Sequence, residues 1–177
     1  MLFKIEDAMA LPQFQNMNPD EIKRKLDALE VLIRKYTNNN FQNRDIRFAA
    51  SSSGRVLNGC HPFIEIGDTL QISESKVNDG LYVIEDIDTE NETVTVDKDL
   101  YMVAHNLVTK IVYPVDVLSG ALRLLQWEIE NAGRVGVKSE TLSRHSITYF
   151  DMDKNNQVMG YPVSLLGFLE MYKKARF

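Results

Sequence analysis

GVKSETLSRHSITYF, from Gly136 to Phe150, and GYPVSLLGFLEMYKKARF, from Gly160 to Phe177, are the two stretches of sequence that decide the predicted fold. The first predicts an extended, strand-like segment, and the Asp/Asn-rich residues between the two predict a tight turn. The second predicts an apolar helix that begins at Pro162 and ends in a basic and aromatic tail. No other part of the chain is as informative as this order of elements.

The predicted final helix, at 162–175, has an unusually wide apolar face. Such a width requires two neighbouring elements or a partner that covers one side. Basic residues follow the apolar ones, where they are favourable near a helix C-terminus and also serve solubility. The apolar residues are Val163, Leu165, Leu166, Phe168, Leu169 and Tyr172, and the basic ones are Lys173, Lys174 and Arg176.

Two longer helices are predicted from local signals. Asn18 and Pro19 are a strong N-cap and first position for a helix at 19–36, which Asn residues at 38–40 end. Asp116 caps a second helix, which Gly133 ends. Each has an apolar stripe at spacings of three and four: Ile22, Leu26, Leu29, Ile33 and Tyr36 in the first, and Leu118, Leu122, Leu125, Ile129 and Ala132 in the second.

Leu124 and Trp127 project away from the main stripe of the second long helix. This pattern has two interpretations. The helix is either central and buried on both faces within one subunit, or it offers a contact face to another copy, where Trp is favoured. The sequence leaves both open.

Between the helical segments, residues 44–113 change to the alternating pattern of strands. Four short strands are predicted at 63–66, 69–72, 81–84 and 93–96, separated by Gly, Asn and Asp turns. They form an antiparallel module that closes into a small barrel or sandwich. The predicted class is therefore α+β, with a small helical bundle (1–43 and 114–177) and an inserted β module (44–113).

Composition narrows the class of function. Residues 41–113 carry six basic and twelve acidic side chains, within a net charge of −5 for the chain. Tight nucleic-acid binding relies on neutralising phosphates, so this acidic middle argues against it. No apolar run is long enough to span a bilayer, and the start of the chain lacks signal-peptide features. The single Cys60 fits a reducing compartment, so a cytoplasm is the expected site of synthesis.

No catalytic, cofactor or metal site is predicted. His61, His105 and His145 are far apart, and none has a second ligand at metal spacing. Ser51–Gly54 has the composition of a flexible loop, and Cys60 beside His61 is expected to be structural or incidental. The stretch from Asp151 lacks the Gly and Glu of a calcium loop, as does Asp86–Asp97, whose acids fit a hairpin turn. We therefore expect that the protein is not an enzyme.

The order of elements resembles the head-tail connector family of tailed bacteriophages, also called adaptor or head-completion proteins. A long helix, a glycine, the extended GVKSETLSRHSITY, a turn and a short helix with a basic-aromatic tail match throughout 114–177. The helix at 19–36 fits the family's opening helix, so the resemblance covers a little more than half the chain. The β module departs from the compact helical connectors, although 66–70 and 77–83 look like β modules of phage head-tail joining proteins.

The resemblance implies a structural protein of the virion neck, made in the host cytoplasm. About twelve copies would form a ring beneath the portal, continue the DNA channel and present a platform for the stopper. DNA would pass the lumen without specific binding, and no cofactor or membrane is implied. The implied portal contacts are Tyr172, Lys173, Lys174, Arg176 and Phe177. The implied subunit contacts are Leu124, Trp127, Leu165 and Phe168.

Other readings of the chain stay open at this point. A stopper or tail-completion protein of the same neck differs only in its position in the stack. The β module could contact the major capsid protein, or it could be a barrel that binds a ligand or nucleic acid. Against nucleic acid, its strands show few exposed aromatic residues and no basic groove.

Overall fold

The computed structural model describes residues 2–3, 5–131, 139–142, 145–148 and 157–175. It contains both helices and an antiparallel sheet, which confirms the mixed α and β class. The chain divides into two compact units. The β unit comprises residues 40–113, so it begins at Asn40 rather than at residue 44, and the helical unit comprises 2–39 and 114–177.

Helix α1 spans Ile5–Met9, and α2 spans Pro19–Thr37 as the local signals predict. The Asn18 side chain accepts a hydrogen bond from the Asp20 amide at 2.9 Å, which confirms the predicted cap. Asn38 ends α2 in the left-handed conformation with φ of 49°. The buried residues of α2 include four members of the predicted stripe: Ile22, Leu26, Leu29 and Ile33.

Helix α3 spans Val115–Asn131, so Asp116 lies in its first turn. The predicted stripe is only partly confirmed for this helix: Leu125 is buried, whereas Leu118, Leu122 and Ile129 are only half-buried. The buried face is instead made of Val117, Gly120, Ala121, Leu124 and Leu125. Small residues explain the difference, because Gly120 leaves room for the Phe168 ring, which a Cβ atom there would overlap. Ala132 and Gly133 lie outside the described residues.

The β unit contains four antiparallel strands, in the order β1-β4-β2-β3, with an additional pairing of β3 with β4. The sheet does not close into a barrel, contrary to that prediction. Closure requires each strand to have two neighbours, whereas β1 pairs only with β4 in the described chain. The strands are β1 Gln42–Asn58, β2 Thr69–Ser73, β3 Gly80–Asp88 and β4 Thr93–Ile111.

Two local predictions for the β unit are wrong. Phe63–Ile66 is a turn segment rather than a strand, and it leads into Gly67, whose amide donates to the Ile84 carbonyl at 2.8 Å. Ser51–Gly54 is part of β1 rather than a loop. Pairing with β4 explains why Ser51–Gly54 is a strand. Its small polar residues have little tendency to form a strand, but hydrogen bonds with β4, which is distant in sequence, hold them in one.

The C-terminal region of the helical unit has short elements. Hairpin strands β5 Ser139–Leu142 and β6 His145–Thr148 pair with each other, as do β7 Gln157–Val158 and β8 Tyr161–Pro162. Helix α4 spans only Val163–Leu166, and a 3-10 helix follows at Gly167–Tyr172. The single predicted helix at 162–175 is therefore wrong. Gly167 at the junction is a poor α-helix former, so the chain there winds more tightly.

Each unit has its own core. In the β unit, apolar residues from all four strands form one cluster that includes Leu57, Leu70, Ile84, Val94 and Val108. In the helical unit, the fully buried residues include Ile22 and Leu26 of α2, Leu124 and Leu125 of α3, and Leu166 of α4. In the part of the chain that the structure describes, none of the helices has the length and apolar content needed to cross a membrane.

Candidate functional site

The C-terminal segment, defined here as residues 172–175, lies against the end of α2. The Lys174 amide donates to the Thr37 carbonyl at 2.8 Å. The side-chain amide of Asn38 donates to the Ala175 carbonyl at 2.8 Å, and the side-chain amide of Asn39 donates to the Tyr172 carbonyl at 3.2 Å. The last carbonyls of a helix lack intrahelical donors, so the end of α2 is a suitable place to bind another backbone.

Side chains add a second set of contacts to this segment. Lys173 Nζ donates to Glu170 Oε1 at 2.7 Å and to the Tyr36 hydroxyl at 3.1 Å, and lies 4.2 Å from the centre of the Tyr36 ring. The hydrogen bond with Glu170 raises the pKa of Lys173, and the same bond lowers the pKa of Glu170. Tyr172 donates to Asp116 at 2.8 Å, which raises the pKa of Tyr172. Both shifts favour the charged forms of Lys173 and Glu170 at neutral pH.

Of the five residues implied as portal contacts, the structure describes three. Tyr172 is half-buried, whereas Lys173 and Lys174 are exposed. Arg176 and Phe177 lie outside the described residues. The structure thus brings the first three together on the surface of the helical unit. No local signal in the sequence places this segment against the end of α2.

The four residues implied as subunit contacts differ in exposure. Leu124 is 0% exposed and belongs to the core of its own unit, so it offers no surface to another copy. Trp127 is half-buried, with its ring 5.5 Å from that of Tyr161. Leu165 and Phe168 are also half-buried, and the Phe168 ring lies 5.8 Å from the Arg123 guanidinium. The last three keep accessible apolar surface.

Sequence reasoning missed a polar cluster in the helical unit. Glu128 accepts hydrogen bonds from Lys25 at 2.7 Å and from the Tyr161 hydroxyl at 2.6 Å. Burial favours the neutral acid, but the bonds from Lys25 and Tyr161 outweigh it and lower the pKa of Glu128. Burial, reinforced by the neighbouring carboxylate, raises the pKa of Tyr161. The cluster ties α2 and β8 to α3 through one carboxylate.

We expect the Glu128→Gln variant to lose stability at neutral pH but not in acid. A lowered carboxyl pKa stabilises the fold above the ordinary value of 4.5, and this contribution disappears as the pH falls through the folded-state value. The expected difference from wild type is about 1 kcal/mol at neutral pH, as for a partly exposed ion pair. Urea unfolding across that pH range measures it.

Glu130→Gln is the matched control on the same helix, because Glu130 is exposed and is bonded only by Gln126 among the described residues. The difference in free energy of unfolding between Glu130→Gln and wild type at neutral pH should be smaller than that for Glu128→Gln. A Glu128→Gln difference that stays constant down to acidic pH would contradict the role of the charged carboxylate.

A second exposed surface belongs to the β unit. Phe63 is 69% exposed and Ile66 57%, on the segment before β2. Lys110 holds this segment by donating to the Phe63 carbonyl at 3.2 Å and by pairing with Asp68 at 2.6 Å. Large apolar side chains on a fixed backbone are typical of protein contact surfaces.

Beside this surface lies a cleft of about 240 Å³, lined by Cys60, His61, Pro62, Thr89 and Glu92. His61 Nδ1 accepts a hydrogen bond from the Phe63 amide at 3.3 Å, so this nitrogen is occupied. The Cys60 thiol contacts the His61 carbonyl at 3.8 Å rather than the ring. Within the described ranges, no three His, Cys, Asp or Glu side chains are grouped to hold a metal ion. Among the described residues that line this cleft, Cys60 and His61 are therefore not paired as a nucleophile and a base.

Comparison with known proteins gives no assignment for the chain. No family model matches it, and no curated protein matches it either.

Proposed function

We propose that this protein is a ring-forming head-tail connector in the neck of a tailed bacteriophage. It docks beneath the portal, extends the DNA channel and forms the platform for the stopper, after synthesis in the host cytoplasm. The main supporting observation is the exposed basic C-terminal segment held at the end of α2, with the hairpin β5–β6 and short helix α4 before it. This arrangement agrees with the element order that resembles the connectors.

Contacts between copies use two different faces in this proposal, because a ring requires heterologous packing. One face contains Trp127, Leu165 and Phe168, which keep accessible apolar surface although they pack within their own unit. Met171, which is 78% exposed on the 3-10 helix, offers further apolar surface. Leu124 takes no part, because it is fully buried.

The β unit contacts other proteins of the virion, rather than copies of this chain, in this proposal. Its exposed apolar residues Phe63, Ile66, Tyr101 and Met102 are candidates for contacts with the capsid protein or the stopper. Its six basic and twelve acidic side chains disfavour binding to phosphate. DNA that passes an acidic lumen is repelled rather than held, as a channel requires.

The proposal is tested with a double charge reversal, Lys174→Glu with Arg176→Glu, and the portal protein of the same phage. Size-exclusion chromatography with light scattering should show wild-type rings on the portal and at least a tenfold weaker association for the variant. Opposite charges at a contact suppress association. The fold of the helical unit should be unchanged, because the segment is held through main-chain groups of Lys174 and Ala175 and the Lys174 side chain is exposed.

Lys23→Glu with Lys76→Glu is the matched control, since both lysines are exposed and the net charge change is the same. It should retain portal binding. A wild-type protein that binds no portal would contradict the connector role. Binding to the assembled connector ring of another protein instead would favour the stopper role.

A further inference from the structure

We infer that the end of α2, residues Thr37, Asn38 and Asn39, is a clamp that fixes the C-terminal segment in the position in which it meets the portal. This inference rests on the proposed function. It differs from the common case of a tail that becomes ordered only on docking. In the clamp mechanism, the segment is ordered beforehand and Asn38 is a positioning residue.

The end of α2 is shaped to hold a second backbone. The Thr37 hydroxyl donates to the Ile33 carbonyl at 2.7 Å, and the Thr37 carbonyl accepts the Lys174 amide at 2.8 Å. The backbone amide of Asn38 caps the helix by donating to the carbonyls of Arg34 and Lys35. The two requirements, ending α2 and holding the segment, are thus met by different groups.

The side chain of Asn38 is not needed for the helix end. Glycine is the usual residue at such a left-handed position, because it has no Cβ penalty there. Asn38 tolerates the conformation and adds an amide that donates to the carbonyls of Lys174 at 3.4 Å and Ala175 at 2.8 Å. The side chain therefore serves the segment and not the cap.

The clamp binds main-chain groups of the segment and leaves the charged side chain of Lys174 exposed. Tyr172, Lys174 and Ala175 are all held through main-chain groups. The Lys174 side chain stays exposed, and Arg176 and Phe177 follow directly in sequence. A segment that is ordered before binding does not lose conformational entropy on docking, so it binds more tightly than a mobile one.

Asn38→Gly tests the clamp, because it removes the side-chain amide that bonds the segment and keeps the backbone amide and the left-handed conformation that end α2. Two readouts are measured on the full chain. Trypsin should cleave after Lys173 and Lys174 several times faster, as followed by mass spectrometry of the released C-terminal peptides. Portal affinity should fall about tenfold, with the thermal midpoint close to that of wild type.

Lys76→Gly is the control, since Lys76 is another exposed left-handed residue, with φ of 69°, and lies in the β unit. It should change neither readout. Unchanged cleavage in Asn38→Gly would overturn the inference that Asn38 holds the segment, which is its holding role. Faster cleavage with unchanged or tighter portal binding would overturn the inference that the held position is the one that meets the portal, which is the presenting role. If the wild-type protein binds no portal, the proposed function and the presenting role fail, whereas cleavage still shows whether Asn38 holds the segment.

Discussion

Replacing Asn78 with alanine is expected to destabilise the β unit by about 3 kcal/mol, because it leaves buried backbone groups without partners. Asn78 is 1% exposed. Its amide nitrogen donates to Ser52 Oγ at 3.0 Å and to the Tyr101 carbonyl at 2.9 Å, and its amide oxygen accepts the Tyr101 amide at 2.8 Å. Asn106 joins the same network through its amide oxygen at 3.3 Å.

The position of this network explains the size of the effect. Strand β4 pairs with β3 at 93–96 and with β2 at 107–110, and Tyr101 lies between these two regions. The Asn78 carboxamide bonds both main-chain groups of Tyr101, as a neighbouring strand would. Opposite it, β1 has register shifts on both sides of Ser52. Asn78 therefore completes the hydrogen bonding where the sheet is irregular.

Urea unfolding of Asn78→Ala and wild type measures the loss of stability. Asn58→Ala is the matched control, because Asn58 is exposed on β1 and its side chain bonds only Ser51 among the residues that the structure describes. It should change the free energy of unfolding by less than about 0.5 kcal/mol. An Asn78→Ala variant as stable as this control would show that water replaces the amide at no cost.

The second large effect is expected for Leu124→Ala, which should destabilise the free protein by about 2–5 kcal/mol. Leu124 is fully buried on α3, beside Ala121 and Leu125 in the core of the helical unit. Truncating it leaves a cavity in a close-packed region. The loss should appear in the protein alone, without portal or other copies.

Leu118→Ala is the comparison that separates the two faces of α3. Leu118 belongs to the apolar stripe expected from the sequence but is only half-buried. Its truncation should cost clearly less than that of Leu124, as measured by thermal and denaturant unfolding. If Leu124→Ala instead keeps the wild-type stability and prevents ring assembly, the subunit contact inferred from the sequence holds and the burial argument fails.

Features with local causes could be predicted from the sequence. Asn18 and Pro19 fix the start of α2, and Asn38 fixes its end, because caps act on backbone groups within one turn. The acidic turn at Asp88–Glu92 likewise forms as expected, with Asp88 accepting from the amides of Glu90 and Asn91. The hydrogen bond from the Asn91 side chain, together with those from the Asn91 and Glu90 amides, lowers the pKa of Asp88.

Features with distant causes could not be predicted. Ser51–Gly54 joins β1 only because β4 pairs with it, and the sheet stays open because β1 has one neighbouring strand in the described part of the chain. The buried face of α3 depends on the Phe168 ring, which packs against Gly120 from far along the chain. Apolar periodicity shows which face of a helix carries large side chains. It does not show where a glycine leaves room for a side chain from a distant part of the chain.

By itself, the sequence determined the mixed class of the fold, the limits of α2, the acidic turn at Asp88–Glu92 and the uneven distribution of charge. Each follows from short-range backbone chemistry or from composition. Only the tertiary structure decided that Leu124 is core, that Asn78 completes the sheet and that the C-terminal segment lies on the end of α2. These outcomes depend on hydrogen bonds and packing between residues distant in sequence, and no local pattern specifies such pairs.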